Sequence, residues 1–229
     1  MKLLMLTLGL CVSSQGAEYC FGFLRAVADR GVLPEAESSR IQKAHLAHME
    51  ELGKQRKLAA AGPLVGSADI RGLLIYKCES LAQARGWTAA DPAVQNKRLF
   101  VDMYRWTGPA GIADEYWRER EKRPSDTVKM IRYPLAIVRL GEAGAKLSAE
   151  ELDKALAPHR EHVAKFSKSK QVVSSARLTG GEEWIALEFF REGTMFDARK
   201  IMESDPAVAS KVLRHELFEW MCAENVMPW

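Results

Sequence analysis

The 229-residue chain is poor in cysteine, with four, and only 8% of its residues are aromatic. Four cysteines in this length exclude a small scaffold held by disulfides. Lysine and arginine outnumber aspartate and glutamate by 33 to 30, and the charges are interspersed, which excludes nucleic acid as the main partner. No apolar run reaches the ~18 residues of a membrane-spanning helix. A glycine-rich phosphate loop, a Gly-x-Ser-x-Gly elbow, a Cys-x-x-Cys pair and a cysteine–histidine nucleophile pattern are also missing. No cofactor and no metal are expected, with a divalent ion held by a His-x-x-His pair and a carboxylate as the weaker alternative. What the chain does have is 47% hydrophobic and 28% charged residues, enough to bury one large core or two small ones.

The amino terminus reads as an address. Lys2 precedes an apolar run from Leu3 to Val12, followed by the small and polar stretch Ser13-Ser14-Gln15-Gly16-Ala17. That order is the pattern of a secretory signal cleaved after Gly16 or Ala17, so residues 1–17 are predicted to be a signal peptide of an exported protein, periplasmic or secreted. The alternative is a first strand or buried helix over 3–12 in a cytoplasmic protein. Cleavage removes Cys11 and leaves Cys20, Cys78 and Cys222, an odd number. These are read as small apolar core residues.

Self-similarity organises the rest. His45-Leu-Ala-His48 returns 114 residues later as His159-Arg-Glu-His162, and Asp91-Pro-Ala-Val returns as Asp205-Pro-Ala-Val at the same offset. Tyr19/Tyr133, Arg25/Arg139, Leu64/Leu178, Leu73/Leu187 and Trp106/Trp220 keep it. A constant register over this span predicts two copies of one unit, at 18–107 and 129–229. The linker at 108–128 includes Tyr116 and Trp117, which are placed to dock on a unit, and a solvated charge run from Arg118 to Arg123.

Within the first unit, Tyr19 to Val27 is apolar and β-rich. Pro34 and Glu35 open a helical stretch to about Lys57. At the same place in the second unit stands the capping box Ser148-Ala-Glu-Glu151. Leu58–Leu64 reads as a short strand or a turn region, with Gly62-Pro63 as a tight turn, and Ile70–Cys78 reads as a strand matched by Trp184–Phe190. Ser80 to Ala90 reads as a helix ending before Pro92, and Lys97 to Trp106 alternates at strand period. Lys211 to Trp220 is ambiguous by itself, and the repeat assigns it as strand. The order β-α-β-β-α-β is that of a ferredoxin-like unit, whose sheet has helices on one face and needs cover on the other. The expected fold is α+β: two tandem ferredoxin-like units packed sheet to sheet as a pseudo-dimeric α/β barrel.

On a helical wheel Ile41, His45, His48, Met49 and Leu52 share one stripe, and Ala155, His159, His162, Val163 and Phe166 share its counterpart. A buried imidazole needs partners. Each unit offers an aspartate 46 residues after its first histidine, Asp91 for His45 and Asp205 for His159. A carboxylate fixes an imidazole's tautomer and raises its proton affinity, which suits it to acid–base chemistry. The plain alternative is that each aspartate caps a turn and each histidine is a satisfied core group. His48, His162, Arg25, Arg139 and Ser80 are further candidate ligand-binding groups.

His45-Leu46-Ala47, Ala61-Gly62-Pro63, Glu79-Ser80-Leu81-Ala82-Gln83-Ala84 and Asp91-Pro92, in this order and spacing, resemble the YCII-related family over about residues 19–106. Residues 130–222 resemble a diverged second copy. The resemblance implies a fold similar to muconolactone isomerase and a site built on His45 with Asp91 and His159 with Asp205. A dehydrochlorinase acting on a chlorinated hydroxyquinol belongs to that family. The implied activity is lyase or isomerase chemistry on small ring or carbonyl compounds. The alternative is a non-catalytic small-ligand-binding or assembly module. Ala176-Arg177 and Gly193-Thr194 depart from the first unit's Gly62-Pro63 and Glu79-Ser80. If those residues shape the pocket, the second unit is only a structural partner. The expected partner is a small molecule, with no nucleic acid and no membrane span; the two units pair within the chain, and association with a further copy is left open.

Overall fold

The computed structural model describes residues 16–181, 183, 185–191 and 194–228. Cys11, Trp184, Gly193 and all but the last two residues of the expected signal peptide lie outside them. Residues 17–108 form β1 (Ala17–Ala26), α1 (Glu35–Lys54), β2 (Leu58–Val65), β3 (Ile70–Tyr76), α2 (Leu81–Ala89), α3 (Pro92–Gln95) and β4 (Leu99–Gly108). After α4 (Asp114–Lys122) come β5 (Met130–Leu140), α5 (Ala149–Ala155), α6 (Ala157–Lys168), β6 (Val172–Thr179), β7 (Ile185–Phe190), α7 (Met195–Glu203), α8 (Pro206–Ala209) and β8 (Leu213–Ala223).

The two long helical segments differ for a local reason. α1 is unbroken over 20 residues, with Glu35 and Glu37 facing the positive end of its dipole. Its counterpart opens with the Ser148–Glu151 capping box and then stops at Leu156 before restarting as α6. Pro158 stands in the first turn of α6, lacks an N–H and crowds the carbonyl four residues back, so one continuous helix cannot form.

The eight strands close into an antiparallel barrel in the order β1-β3-β2-β8-β5-β7-β6-β4. Two short seams complete the ring. Leu64 and Val65 pair with Trp220 and Glu219, and Arg105 and Trp106 pair with Thr179 and Leu178. Alternate strand residues face inward. Phe21, Phe23, Trp106, Tyr133, Phe189 and Trp220 fill the interior, with Phe189 lying 5.7 Å from Trp106 and 5.4 Å from Trp220 between ring centroids. The other faces carry two outer cores, one beneath α1 and α2 and one beneath α6 and α7.

Three expectations need correction. Gly62-Pro63 is no turn: both residues lie within β2. A Cβ on Gly62 would collide with the Met221 carbonyl oxygen of β8, so the small residue is required by the close approach of two backbones at a seam. Cys20 and Cys78 are not free core thiols but form a disulfide, with Cα atoms 5.9 Å apart, that ties β1 to the chain after β3. Its sequence separation of 58 closes a long loop, which on the chain-entropy account stabilises the fold by about 4 kcal/mol. Among the described residues Cys222 alone stays reduced and buried, its thiol pushed up to about 12 by burial. The linker, finally, is part of the core. Ile112 and Ala113 are fully buried with Val226 and Met227 at one end of the barrel, and Ala113 N–H donates to Val226 O at 2.7 Å. Tyr116 and Trp117 pack beside them as expected, and the Arg56 guanidinium lies 3.9 Å from the Trp117 ring.

Two glycines make a controlled comparison. Gly62→Ala is expected to destabilise the chain by roughly 1–3 kcal/mol by overpacking the seam. Gly86→Ala, in α2 with nothing within 4 Å of its Cβ, is expected to stabilise it by about 0.5–1 kcal/mol. Urea unfolding of both variants checks this; equal midpoints would remove the seam argument.

Candidate active site

The buried stripe of α1 carries Ile41, His45 and Leu52, and that of α6 carries His159 and Val163. Each first histidine meets its aspartate. His45 Nδ1 lies 2.7 Å from Asp91 Oδ2, and His159 Nδ1 lies 2.6 Å from Asp205 Oδ2. Both carboxylates are fully buried, and the imidazoles are 8% and 5% exposed. The remaining oxygen of each aspartate caps the next short helix. Asp91 Oδ1 accepts from Ala93 N–H at 2.8 Å, and Asp205 Oδ1 accepts from Ala207 N–H at 2.9 Å. Pro92 and Pro206 in the following first turns have no N–H to leave unpaired. The same carboxylate therefore caps the turn and orients the ring. With Nδ1–H donating to the carboxylate, Nε2 is the nitrogen left for chemistry.

Charge reinforces the second pair. Burial alone would lower the His159 pKa, but the Asp205 hydrogen bond and the charges of Glu188 and Asp205 outweigh it, and the ring sits above its ordinary value. Burial pushes Asp205 up, yet the hydrogen bond and charge of His159 and the Ala207 N–H hold its carboxyl below the usual range.

Sequence reasoning missed Glu188. It is 1% exposed on β7, with Oε1 3.6 Å from His159 Nε2. Its only sequence signal is a lone acid inside the apolar strand Ile-Ala-Leu-Glu-Phe-Phe, where the first half has Leu74. His159, Glu188 and Asp205 are the one group of three metal-ligating residues among the described residues whose donor atoms lie within 4.8 Å of one another. With Asp205 behind the ring, Nε2 and Glu188 Oε1 are the two donors that a divalent ion would share.

The other candidates are held elsewhere. His48 Nε2–H donates to Trp87 O and His162 Nε2–H donates to Ile201 O, both at 2.9 Å, so each second histidine braces its long helix against the next. Arg25 is paired with Asp102 at 2.6 Å and with Asp69. Arg139 is paired with Glu183 at 2.7 Å and faces Glu216 at 3.6 Å. Both guanidinium groups are therefore engaged by carboxylates of the chain itself. Ser80 Oγ caps α2, accepting from Gln83 N–H at 3.2 Å. A cavity of about 480 Å³ reaches His159, walled by Leu156, Val163 and Val173 with Arg160 and Arg177 at its polar side. The second half, although it lacks the Gly-Pro sequence, opens a pocket onto its imidazole.

These features define a class: an α+β protein on a closed eight-stranded antiparallel barrel, with a buried His–Asp pair beneath each helical layer. Residues 19–105 match the YCII-related domain family. Two structures of mutant chlorite dismutase from Candidatus Nitrospira defluvii are similar, at TM-scores of 0.53 and 0.54. Each is 12% identical and covers 92% of this chain and 93% of its own. A heme-binding protein from Thermus thermophilus is similar at a TM-score of 0.47, with 15% identity over 91% of each chain. At these identities the likeness is one of fold. No curated protein matches the sequence.

The pair has a defined pH window. His159, raised above 6.5, contributes fully below 6.5 and less as pH rises through its folded value. Asp205, lowered below 3.8, contributes fully above 3.8 and less as pH falls through its folded value. Asp205→Asn is therefore expected to cost most stability between pH 3.8 and 6.5 and less on either side. Urea unfolding across that window checks it; a pH-independent cost would contradict the ion-pair account.

Proposed function

We propose that the chain is a small-molecule enzyme of acid–base type, a lyase or isomerase acting on small ring or carbonyl compounds. We propose, too, that it is a tandem duplication of a ferredoxin-like unit whose two copies pair within one chain. The second proposal is supported by the repeated element order and by the strand sequences β4-β1-β3-β2 and β8-β5-β7-β6 around the barrel.

The observation that carries the activity is the buried Nδ1–carboxylate contact at 2.6–2.7 Å, present in both halves and anchored by a helix-capping N–H. A ring held in one tautomer and one orientation presents Nε2 without further rotation. In the second half a cavity lies against that ring. His159 would take or give a proton at Nε2 while Asp205 balances the charge on the ring. Removing a proton beside a carbonyl leaves the electron pair as an enolate. Returning the proton at another carbon completes an isomerisation, and expelling a leaving group from the adjacent carbon completes an elimination. The chain's other contribution is the apolar wall of Leu156, Val163 and Val173, which limits water around a small ring.

A binding module of the same fold is the second reading. It is supported by the low exposure of His45 and by the capping work of Asp91, which together account for the first pair as bracing between α1 and α3. A thermal-shift screen of small phenols and lactones, followed by turnover assays on the hits, separates the two. The enzyme reading expects His159→Asn or His45→Asn to cut turnover by roughly 10²–10⁴-fold with the fold intact. Turnover unchanged in both variants would reject it.

Export is proposed as well, supported by the Cys20–Cys78 disulfide, since such bonds persist in oxidising compartments. The mature chain is then expected to begin near residue 17. Sequencing its amino terminus checks this, and a start at Met1 would count against export. Association with a further copy of the chain remains part of the proposal, and its test is the solution mass.

A further inference from the structure

The two halves hold their imidazoles in different company. In the first half Leu74 of β3 is packed in the outer core beneath α1 and α2. In the second half the same position, 114 residues on, is Glu188 of β7, 1% exposed. Strand alternation aims it. Ile185, Leu187 and Phe189 fill the barrel, so Ala186, Glu188 and Phe190 lie under the helices. Glu188 Oε1 stands 3.6 Å from His159 Nε2.

That spacing suits a shared metal ion. A zinc-class ion binds an imidazole nitrogen at roughly 2.0–2.1 Å and a carboxylate oxygen at about 2.0–2.2 Å. Two such bonds span 3.6 Å when they meet at about 120°, an angle that a four-coordinate ion accepts. A histidine that ligates a metal through one nitrogen gives its other N–H to a carboxylate or carbonyl, which fixes the tautomer and the ring plane. Asp205 does this on Nδ1 at 2.6 Å, and its second oxygen is held by Ala207 N–H. A carboxylate has about four acceptor sites, so a bond from Glu188 Oε1 to an ion leaves that side chain's other contacts in place. The cavity of about 480 Å³ that reaches His159 has room for water or a small ligand to complete the coordination. The ligand set is not the His-x-x-His pair, because His162 Nε2 is spent on the Ile201 carbonyl. The second donor comes from the strand beneath the helix.

From this geometry we infer that the second half binds one divalent first-row metal ion through His159 Nε2 and Glu188 Oε1, with Asp205 as the positioning residue behind the ring. An imidazole with a carboxylate suits zinc or cobalt better than magnesium or calcium, which prefer oxygen donors throughout. The first half has leucine at the matching place, and among the described residues no such donor group forms around His45. The site goes beyond the acid–base reading. An ion on Nε2 occupies the nitrogen that proton transfer at His159 needs, so the loaded second half leaves that role to His45.

The test uses the full chain, stripped of metal by dialysis against a chelator, and needs no substrate. Calorimetric titration with Zn²⁺ is expected to give one ion per chain, and excess Mg²⁺ is expected not to displace it. With histidine labelled with ¹⁵N and assigned through His159→Gln, Zn²⁺ is expected to shift the His159 signals and leave those of His45 in place. Glu188→Gln, nearly isosteric, and Glu188→Leu, which installs the first half's residue, are each expected to weaken binding. The loss is expected to be at least the roughly 10–100-fold that removing an outer hydrogen-bond partner of a metal ligand costs. Circular dichroism identifies the variants that fold, and the wild-type NMR titration reads the site even where neither does. The inference is overturned by zinc binding that is absent, that Mg²⁺ displaces, that survives in folded variants lacking Glu188, or that shifts His45 equally. The acid–base reading then still stands. Zinc bound as expected by a protein that turns over no compound supports the site and defeats the acid–base reading alone.

Discussion

A buried carboxylate must be satisfied at both oxygens, and in this protein the solution to that constraint builds the site. Asp91 and Asp205 each give one oxygen to the first N–H groups of a four-residue helix and the other to an imidazole on a long helix. The cap alone would be worth about 1 kcal/mol. Coupling it to the ring does more, because the long helix, the short helix and the turn into the last strand become parts of one hydrogen-bonded unit. His48 and His162 extend that unit by tying the long helices to the carbonyls of Trp87 and Ile201. Rotating either first histidine out of place would orphan a carboxylate that is 0% exposed, so the ring orientation is set by stability before any ligand arrives.

The barrel serves the site by holding two helical layers at fixed distances from it. Its interior is packed with aromatic rings, and the short pairings at Leu64–Trp220 and Trp106–Leu178 close the ring. Neither half has an open sheet edge once these seams form. The segment after β4 and the end of the chain then plug one mouth through Ile112, Ala113, Val226 and Met227. The cavity at His159 lies outside the barrel, between sheet and helices.

Equal architecture does not make the halves chemically equal. The second has a broken long helix, a buried glutamate and an open pocket, all within one helical layer. The first has an unbroken helix, a leucine and a disulfide that ties β1 to the β3–α2 corner. The differences group by half.

Much of this was legible in residue order. The offset of 114 between His45 and His159 and between Asp91 and Asp205 located both pairs, because spacing along helices and strands is a local property that sequence carries directly. The strands, the capping box at Ser148 and the buried histidine stripe follow from the same periodicities. Four matters depended on chain segments far apart in sequence, and so on three-dimensional proximity alone. They are the approach of Gly62 to Met221, the meeting of Cys20 with Cys78, the docking of Ile112 beside Val226, and the arrival of Glu188 beside His159. A lone glutamate or a glycine before proline has many local meanings. Only the neighbour that packing brings against it selects one, since a carboxylate's role depends on the charge it faces and a glycine's on the backbone it touches.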